Sequence, residues 1–263
     1  MYKYIFCDLD GTLFDDDRNL TDKNIKAISK AKEKGVLFIP CTGRLPYCFI
    51  DYIKPLEFSD YVSTNGSIVF HDNKPIQSII MNKNDAMKII DYSINKHLST
   101  RVFTPDYLYI LNDTDAMWSY EKQKVVDSTE LLSILKEKEV VKIGFVLDSG
   151  NTKVKNDIAA MNLNIEITYS SDIFLEINSK GVDKGKGIKK YCEVLNISPE
   201  EVIGIGDNGN DIPMLEAVGL PCCPNNAIDE VKKISKYVSP YTNNDSAIAD
   251  IIEKFCLKIQ WTS

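Results

Sequence analysis

Short apolar runs alternate with amphipathic segments at both ends of the chain. Residues 2–7 form an apolar run that predicts a buried strand. The helical stripe Ile25, Ile28 and Ala31 follows Thr21, a residue suited to cap the start of a helix. Further strands are predicted at 36–39, 60–63 and 202–205, and a further helix at 212–218. This alternation predicts an α/β fold with a doubly wound parallel sheet.

The middle of the chain follows a different pattern. Two apolar stretches that flank Pro105-Asp106 predict a hairpin. The elements predicted for this region are, in order, a helix at 84–97, strands at 101–104 and 107–111, a helix at 129–138, a strand at 140–147, a helix at 151–163, and strands at 165–167 and 173–177. The order fits an α+β domain with an antiparallel sheet at 82–181, inserted into an α/β core of 1–81 and 182–263.

Composition excludes several classes of protein. The chain has 263 residues, of which 44% are hydrophobic and 26% charged, so it is expected to be globular rather than fibrous or disordered. Its net charge of −7 argues against a nucleic-acid partner. No apolar run reaches the length of a membrane span, and residues 1–8 do not form a signal peptide. We therefore expect a cytoplasmic protein with no membrane attachment, and no obligate protein partner is visible.

The seven cysteines do not predict a disulfide framework or a zinc site. Their number is odd, no C-x-x-C occurs, and Cys222 and Cys223 are adjacent. Cys7 and Cys41 each end an apolar run and are predicted to be small buried side chains.

A pair of carboxylates follows the first predicted strand, in Asp8-Leu9-Asp10-Gly11-Thr12. Burying one unpaired carboxylate is costly, and burying two requires a cation. Ligands of doubly wound sheets bind outside the carboxyl ends of the strands. Location and charge therefore predict a metal site here, and the alternative is a solvated Asp-Gly turn.

Two further segments carry groups that could bind phosphate. Thr42-Gly43-Arg44 follows the second predicted strand and offers a hydroxyl and a backbone amide. Lys184 begins a predicted helix. The helix dipole disfavours a cation at the N-terminal end, so a lysine there that is not simply solvated is expected to bind an anion. Residues 181–187 do not form a Walker loop, because the glycine spacing and the Ser or Thr after the Lys are missing. Each segment by itself could also be solvated surface.

The last chemically distinctive segment is 206–211, which follows the final predicted strand of the core and contains Asp207, Asn210 and Asp211. Oxygen ligands of this kind suit Mg²⁺, and neither acidic segment follows the EF-hand pattern. Residues 204–209 also match the dinucleotide-binding pattern G-x-G-x-x-G. Carboxylates that faced a pyrophosphate without a cation would repel it, which argues against that interpretation.

Together, and in this order, the four segments resemble the motifs of the haloacid dehalogenase superfamily of phosphohydrolases. Asn65-Gly66 after the third predicted strand, and the long insert, resemble its Cof-type branch. The resemblance implies a Rossmann-like core and an inserted cap that sets substrate specificity. The chain departs from the family's usual pattern at 221–227 and at Ser246, outside the catalytic motifs.

The resemblance also implies a role for each motif residue. Asp8 would attack phosphorus and form an aspartyl-phosphate, and Asp10 would act as general acid and base. Mg²⁺ would be bound by the Asp8 carboxylate, the Asp10 backbone carbonyl and Asp207, while Asp211 would orient the water ligands of the metal. The groups implied to bind the phosphoryl group are the amides of Leu9 and Gly43 and the side chains of Thr42, Lys184 and Asn210, and the candidates for binding the rest of the substrate are Arg44 and Asn65.

These roles predict a Mg²⁺-dependent phosphoric monoester hydrolase that acts on small phosphorylated metabolites such as sugar phosphates. Two alternatives stay open. A phosphomutase of hexose phosphates would use the same aspartyl-phosphate chemistry but would have to keep water from the intermediate. A phosphate-binding module without catalysis is the other, although a mere binder has no need of Asp10 as acid and base.

The remaining distinctive side chains receive no catalytic role from the sequence. His71 and His97 are isolated and are predicted to be surface residues without a partner. Trp118 and Tyr120 lie in the insert, where the sequence does not separate a role in the core from a platform for substrate.

Overall fold

The structure is a computed structural model that describes residues 2–112 and 122–257, so Trp118 and Tyr120 lie outside the described residues. The strands are β1 (Tyr4–Cys7), β2 (Leu37–Pro40), β3 (Tyr61–Ser63), β4 (Ile68–His71), β5 (Lys74–Ser78), β6 (Ser99–Phe103), β7 (Leu108–Leu111), β8 (Gln123–Val125), β9 (Lys142–Val146), β10 (Ile165–Ser171), β11 (Phe174–Ser179), β12 (Val202–Ile205), β13 (Leu220–Cys223) and β14 (Tyr237–Val238). The α-helices are α1 (Asp22–Glu33), α2 (Lys83–Asn95), α3 (Ser128–Ile134), α4 (Lys153–Ala160), α5 (Lys184–Leu195), α6 (Ile212–Glu216), α7 (Asp229–Ile234) and α8 (Ala247–Ile252).

The chain folds as two compact units, and the first comprises residues 2–44, 49–77 and 183–257 of the described ranges. Its main sheet has the strand order β14-β13-β12-β1-β2, and every neighbouring pair is parallel. Ile5 and Phe6 on β1 are fully buried although they point to opposite faces, as expected for a parallel sheet covered on both sides. The predicted doubly wound α/β core is confirmed.

Helix α1 shows how local sequence sets an element in this unit. The Thr21 side chain accepts a hydrogen bond from the Asn24 backbone N–H and so caps the first turn. Ile28 and Ala31 lie in the buried stripe of the helix. The helix predicted from the same residues is therefore confirmed.

A strand predicted at residues 60–63 is present as β3, but it does not belong to the parallel sheet. It pairs antiparallel with β4, in a small sheet of order β3-β4-β5, and a single parallel bridge from Cys41 to Val62 relates it to the strand preceding it. The β4–β5 hairpin was not predicted. Its turn residues, Asp72 and Asn73, both have positive φ angles, of 49° and 57°, which Asp and Asn tolerate in tight hairpins.

The second unit comprises residues 45–48 and the described residues from 78 to 182. Its sheet has the order β10-β11-β9-β6-β7-β8. Most neighbours are antiparallel, as predicted, but β7 and β8 are parallel. A wholly antiparallel sheet was therefore wrong at this edge, where β8 was too short and polar to be predicted.

The two faces of the sheet in the second unit differ in character. One face carries Val102, Ile143 and Leu175 in an apolar cluster shared with the buried sides of the helices in this unit. The opposite face has a smaller apolar cluster, in which Leu45 and Cys48 of the 45–48 segment are included. The other buried members of that cluster are Phe103, Leu108, Ile110 and Phe174.

Charged residues are buried on the second face as well. Arg101 and Glu176 are both opposite Gly144 in the strand register, so they share a face, and Lys142 lies two residues from Gly144 on that face. The exposed fraction of these three residues is 1% to 3%.

No helix in the described ranges is long and apolar enough to cross a membrane.

Candidate active site

The first strand of the core places Asp8 at the carboxyl end of the sheet. The Asp8 backbone N–H donates to the Ile205 carbonyl at 2.9 Å, so the residue continues the ladder between β1 and β12. The chain then turns at Gly11, whose φ of 76° favours glycine. A Cβ atom there would also lie 2.6 Å from Asp207 Oδ2, so the turn brings the backbone against the second acidic segment.

The first turn of α5 brings in the buried lysine. The Asp183 side chain caps the helix by accepting from the Lys186 N–H at 2.8 Å, which places Lys184 at the first helical position. Lys184 Nζ donates to Asp8 Oδ1 at 2.6 Å and to Asp211 Oδ1 at 2.5 Å. The side chain is fully buried, so its charge is balanced by these two carboxylates rather than by water.

Asp211 organises the loop that follows β12. Its Oδ2 accepts from the backbone N–H groups of Asp207 at 2.9 Å and Asn208 at 3.0 Å. A Cβ at residue 206 would lie 2.4 Å from Asp211 Cγ, so only glycine allows this approach. Both oxygens of the fully buried Asp211 side chain are therefore engaged within the protein.

Three carboxylates meet at this edge of the sheet. Oxygens of Asp8, Asp207 and Asp211 lie within 4.8 Å of one another. Burial, reinforced by the charge of Asp211, raises the pKa of Asp8 well above its ordinary value although Lys184 opposes the shift. Burial and Asp211 also raise the pKa of Asp207 to about 7, against the hydrogen bond that Thr12 donates. One ammonium does not balance three carboxylates, and this donor set suits a divalent cation.

The pKa of Lys184 is shifted in the direction that keeps it charged. Burial alone would lower this pKa, but the neighbouring charges of Asp211 and Asp8 outweigh burial and raise it well above the ordinary lysine value. Lys184 is therefore a permanent cation in the cluster.

Three of the residues predicted to bind phosphate lie on loops that follow core strands: Thr42 and Gly43 follow β2, and Asn210 follows β12. Thr42 is buried, its N–H donates to Val62 O at 2.9 Å, and its carbonyl accepts from the Asn65 N–H at 3.1 Å. A Cβ on Gly43 would lie 3.0 Å from Asn65 Oδ1, so these two residues are in close proximity. Asn210 Nδ2 donates to the same Asn65 oxygen at 3.4 Å. The structure thus brings Gly43, Asn65 and Asn210 together.

Asn65 reaches this position through an unusual backbone. It has a φ of 51° and the preceding Thr64 a φ of 54°, both in the left-handed region. The Leu9 side chain is fully buried, so only the backbone of this residue could take the phosphate-binding role predicted for it.

Arg44 makes a contact that the sequence did not predict. Its guanidinium donates from Nε to Asp10 Oδ2 at 2.7 Å and from Nη2 to Asp10 Oδ1 at 2.5 Å. The Asp10 side chain is 50% exposed, whereas that of Arg44 is 11% exposed. The structure thus places this candidate for substrate binding on the proposed acid and base.

Sequence reasoning missed two asparagines that hold the acidic loop. Asn226 Nδ2 donates to the Gly11 carbonyl at 2.8 Å, and Asn226 Oδ1 accepts from the Asn243 N–H at 2.9 Å. Asn243 Nδ2 donates to the Phe14 carbonyl at 3.1 Å. The signal for Asn226 was its place in the polar segment 221–227, although nothing local identified its partner.

His71 is not the isolated surface residue that the sequence predicted. Its Nδ1 lies 2.6 Å from Asp60 Oδ2, which also accepts from the Tyr191 hydroxyl. Burial alone would raise the pKa of Asp60, but hydrogen bonds from Ser59, Tyr191 and His71 outweigh burial and lower it. The prediction was wrong because β4 brings His71 beside a buried carboxylate that is eleven residues earlier in the chain.

The structure thus has acidic loops at the carboxyl ends of two adjacent parallel strands and a lysine buried between them, the arrangement that the motif resemblance to the haloacid dehalogenase superfamily implied. Residues 5–252 match the family of haloacid dehalogenase-like hydrolases, so the chain belongs to that family. The membership predicted from the motifs is confirmed.

Individual relatives cover nearly the whole chain. It is 29% identical to the 5-amino-6-(5-phospho-D-ribitylamino)uracil phosphatase YcsE of Bacillus subtilis over 97% of this chain and 96% of that protein. It is also 29% identical to a phosphoglycolate phosphatase of Thermoplasma volcanium, over 98% and 100% of the two chains. A solved haloacid dehalogenase-like hydrolase from Bacteroides thetaiotaomicron superposes with a TM-score of 0.86 at 25% identity, covering 97% and 99%. These relatives support the predicted class of phosphatase.

Proposed function

We propose that the chain is a Mg²⁺-dependent phosphatase that removes phosphate from small phosphorylated metabolites, such as sugar phosphates, through an aspartyl-phosphate at Asp8. The observation that carries this proposal is the group of the buried Asp8, Lys184 and Asp211 with the half-buried Asp207 at the carboxyl end of the sheet. The names of the two related phosphatases, each specifying a small phosphorylated compound, support the substrate class.

Asp8 is the proposed nucleophile. Lys184 binds one oxygen of its carboxylate and thereby fixes the orientation of the group. Attack forms a bond between an Asp8 oxygen and phosphorus while the ester P–O bond breaks, and water then attacks phosphorus to release phosphate and restore the carboxylate. Lys184 also places a positive charge beside the transferring phosphoryl group.

The remaining phosphoryl oxygens need donors around them. We propose the Thr42 hydroxyl, the Asn210 amide and the backbone N–H groups of Leu9 and Gly43 for this task. Support comes from the proximity of Gly43, Asn65 and Asn210, which gathers polar groups from three loops at one place.

The Asp8 and Asp207 carboxylates and the Asp10 backbone carbonyl are the proposed Mg²⁺ ligands. The raised pKa values of Asp8 and Asp207 support them, because both shifts arise from burial and from the charge of Asp211, and an added cation relieves both effects. Bound Mg²⁺ supplies positive charge that offsets the repulsion between these carboxylates and the phosphoryl group. Asp211, whose oxygens are already engaged, is proposed to orient the water ligands of the metal.

Asp10 is the proposed general acid and base. Its carboxyl group would give a proton to the leaving ester oxygen and later take a proton from the attacking water. Its half-exposed side chain, two residues after the nucleophile, supports this role because the group must exchange protons with substrate and water in turn.

The insert at residues 82–181 is proposed as a cap that sets substrate choice. The buried charges on one face of its sheet support this role, because apolar side chains on that face would be enough for stability. The charged side chains there, which are Arg101, Lys142 and Glu176, offer polar partners to a substrate. A cytoplasmic location stays a prediction.

Phosphate release from a panel of phosphorylated metabolites tests the proposal. We expect turnover with Mg²⁺, loss of turnover with a chelator, and restoration when Mg²⁺ is returned. Asp8→Asn should lower turnover by about 10⁴-fold or more, because no other group supplies the covalent step. Asp51→Asn is the matched control, since the Asp51 side chain is 63% exposed and lies outside the acidic loops. Turnover of Asp8→Asn within about threefold of wild type would refute the mechanism.

A further inference from the structure

We infer that Arg44 is a positioning residue for catalysis, which holds the Asp10 carboxylate in one orientation. This inference rests on the proposed function, because it assumes that Asp10 transfers the proton to and from the substrate. It assigns Arg44 a role different from direct contact with the substrate.

The geometry of the ion pair carries the inference. Two N–H groups of one planar guanidinium bind the two oxygens of one carboxylate, at 2.7 Å from Nε and 2.5 Å from Nη2. A bidentate pair of this kind fixes the plane of the carboxylate as well as its distance. Without this ion pair, packing alone would not fix the rotamer of the half-exposed Asp10 side chain.

Arg44 is itself held in place from several sides. Its guanidinium carbon lies 5.9 Å from the ring centroids of both Phe14 and Tyr52. Its backbone N–H donates to Thr42 Oγ1 at 3.2 Å, and its carbonyl accepts from the Thr64 N–H at 3.0 Å. A fixed arginine can therefore impose an orientation on a mobile carboxylate, rather than the reverse.

The fork of the arginine matters to this role as much as its charge. A lysine at residue 44 would keep the positive charge, but it could not bind both oxygens of the carboxylate in one plane. Misplacement of a catalytic group by about 1 Å can cost on the order of 10²-fold in rate. Loss of the contact between two guanidinium N–H groups and both carboxylate oxygens should therefore lower kcat.

A double-mutant cycle between Arg44→Gln and Asp10→Asn tests the inference. For a metabolite ester with a poor leaving group, Arg44→Gln should lower kcat by about 10- to 100-fold and leave KM within about threefold. For an activated aryl phosphate, whose leaving group needs no proton, the change should be small. With Asp10→Asn already present, Arg44→Gln should add no further loss, because it acts through that carboxylate.

Further variants separate positioning from charge and from folding. Arg44→Lys should lose nearly as much kcat as Arg44→Gln, and free guanidinium at low concentration should partly restore Arg44→Ala. Arg18→Gln is the matched control, because Arg18 lies on the loop before α1. Circular dichroism and thermal unfolding verify that each variant is folded. If Arg44→Gln is not folded, Arg44→Lys takes its place in the cycle.

Three results would overturn the inference alone. Two of them are additive losses in the cycle and equal losses on both substrates. The third is a wild-type rate for Arg44→Lys, which would show that charge alone is needed and not positioning. Unchanged ester hydrolysis by Asp10→Asn would instead refute the role of Asp10 in the proposed function, and the inference with it.

Discussion

The Asp207 carboxylate lies in surroundings that disfavour its charged form in the metal-free protein. It lies beside Asp8 and Asp211. Burial and the neighbouring charge of Asp211 raise its pKa to about 7. In the unfolded chain an aspartate titrates near 3.9. Folding of the metal-free protein therefore favours the protonated form of this side chain.

This shift predicts how stability depends on pH without metal. Between about pH 4 and pH 7 the folded state keeps a proton that the unfolded state has lost, so the contribution of Asp207 is greatest below pH 4 and is lost as the pH rises through 7. Asp207→Asn should make the free energy of unfolding less dependent on pH. At pH 8 with a chelator, the variant should be more stable than wild type.

Urea unfolding at pH 5, 6, 7 and 8 measures this effect, with Asp51→Asn as the control. Added Mg²⁺ should stabilise wild type more than Asp207→Asn, since the ion binds the folded state. The same pH dependence in wild type and variant would show that Asp207 is not the group under strain.

At the residue scale, the sequence identified side chains that follow strands and missed side chains that bind backbone. Asp8 and Asp207 were predicted because each stands in a motif that follows an apolar run, and Lys184 was predicted because it begins a predicted helix. Asn226 was missed because its partner, the Gly11 carbonyl, is 215 residues away and a backbone group has no sequence signature. The roles of all these residues stay proposals until variants are measured.

At the scale of elements, the sheet of the second unit combines a core face with a polar face. Lys142 Nζ donates to Glu176 Oε1 at 2.6 Å, and both side chains are almost fully buried. Asn178, two residues further on β11, is 1% exposed, and its Oδ1 has no hydrogen-bond partner within the described residues. A buried acceptor without a donor is costly, which favours a ligand as its partner.

Substitution of Asn178 tests whether this face sets substrate choice. Asn178→Ala removes an acceptor with no partner within the described part of the chain, so we expect little loss of stability. For the best metabolite, kcat/KM should fall by about tenfold or more, while the value for a small activated aryl phosphate should stay within about threefold.

The ratio of the two kcat/KM values is the measurement, and Asn156→Ala, on the exposed side of α4, is the control. An unchanged ratio in a folded variant would remove Asn178 from substrate recognition. Equal loss on both substrates would indicate a structural role instead.

Element prediction succeeded where hydrophobic period and caps agreed, as at α1, and failed where a short strand depended on its neighbours. The β4–β5 hairpin could have been recognised from the two turn residues Asp72-Asn73, which follow the apolar run 68–70. The strand β8 could not, because Gln123–Val125 is polar and becomes a strand only by pairing with β7.

For the whole molecule, alternation of strands and helices was enough to predict the parallel core, and the change of pattern was enough to predict an α+β insert. The 45–48 segment is different: it belongs to the second unit although it follows directly on Thr42-Gly43-Arg44. Leu45 and Cys48 are too few to form a period, and only the three-dimensional cluster with Phe103 and Phe174 assigns them.

The central claim is that Asp8 carries the phosphoryl group during turnover. The most direct measurement mixes enzyme with an excess of its best substrate, quenches in acid within the first turnover, and maps the peptides by mass spectrometry. If Asp8 is the nucleophile, one phosphoryl group is expected on the peptide that contains Asp8, located at Asp8 by fragmentation, and none is expected in Asp8→Asn. Phosphate release by wild type in the same time, with the Asp8 peptide unmodified at every quench time or another residue modified, would contradict this claim.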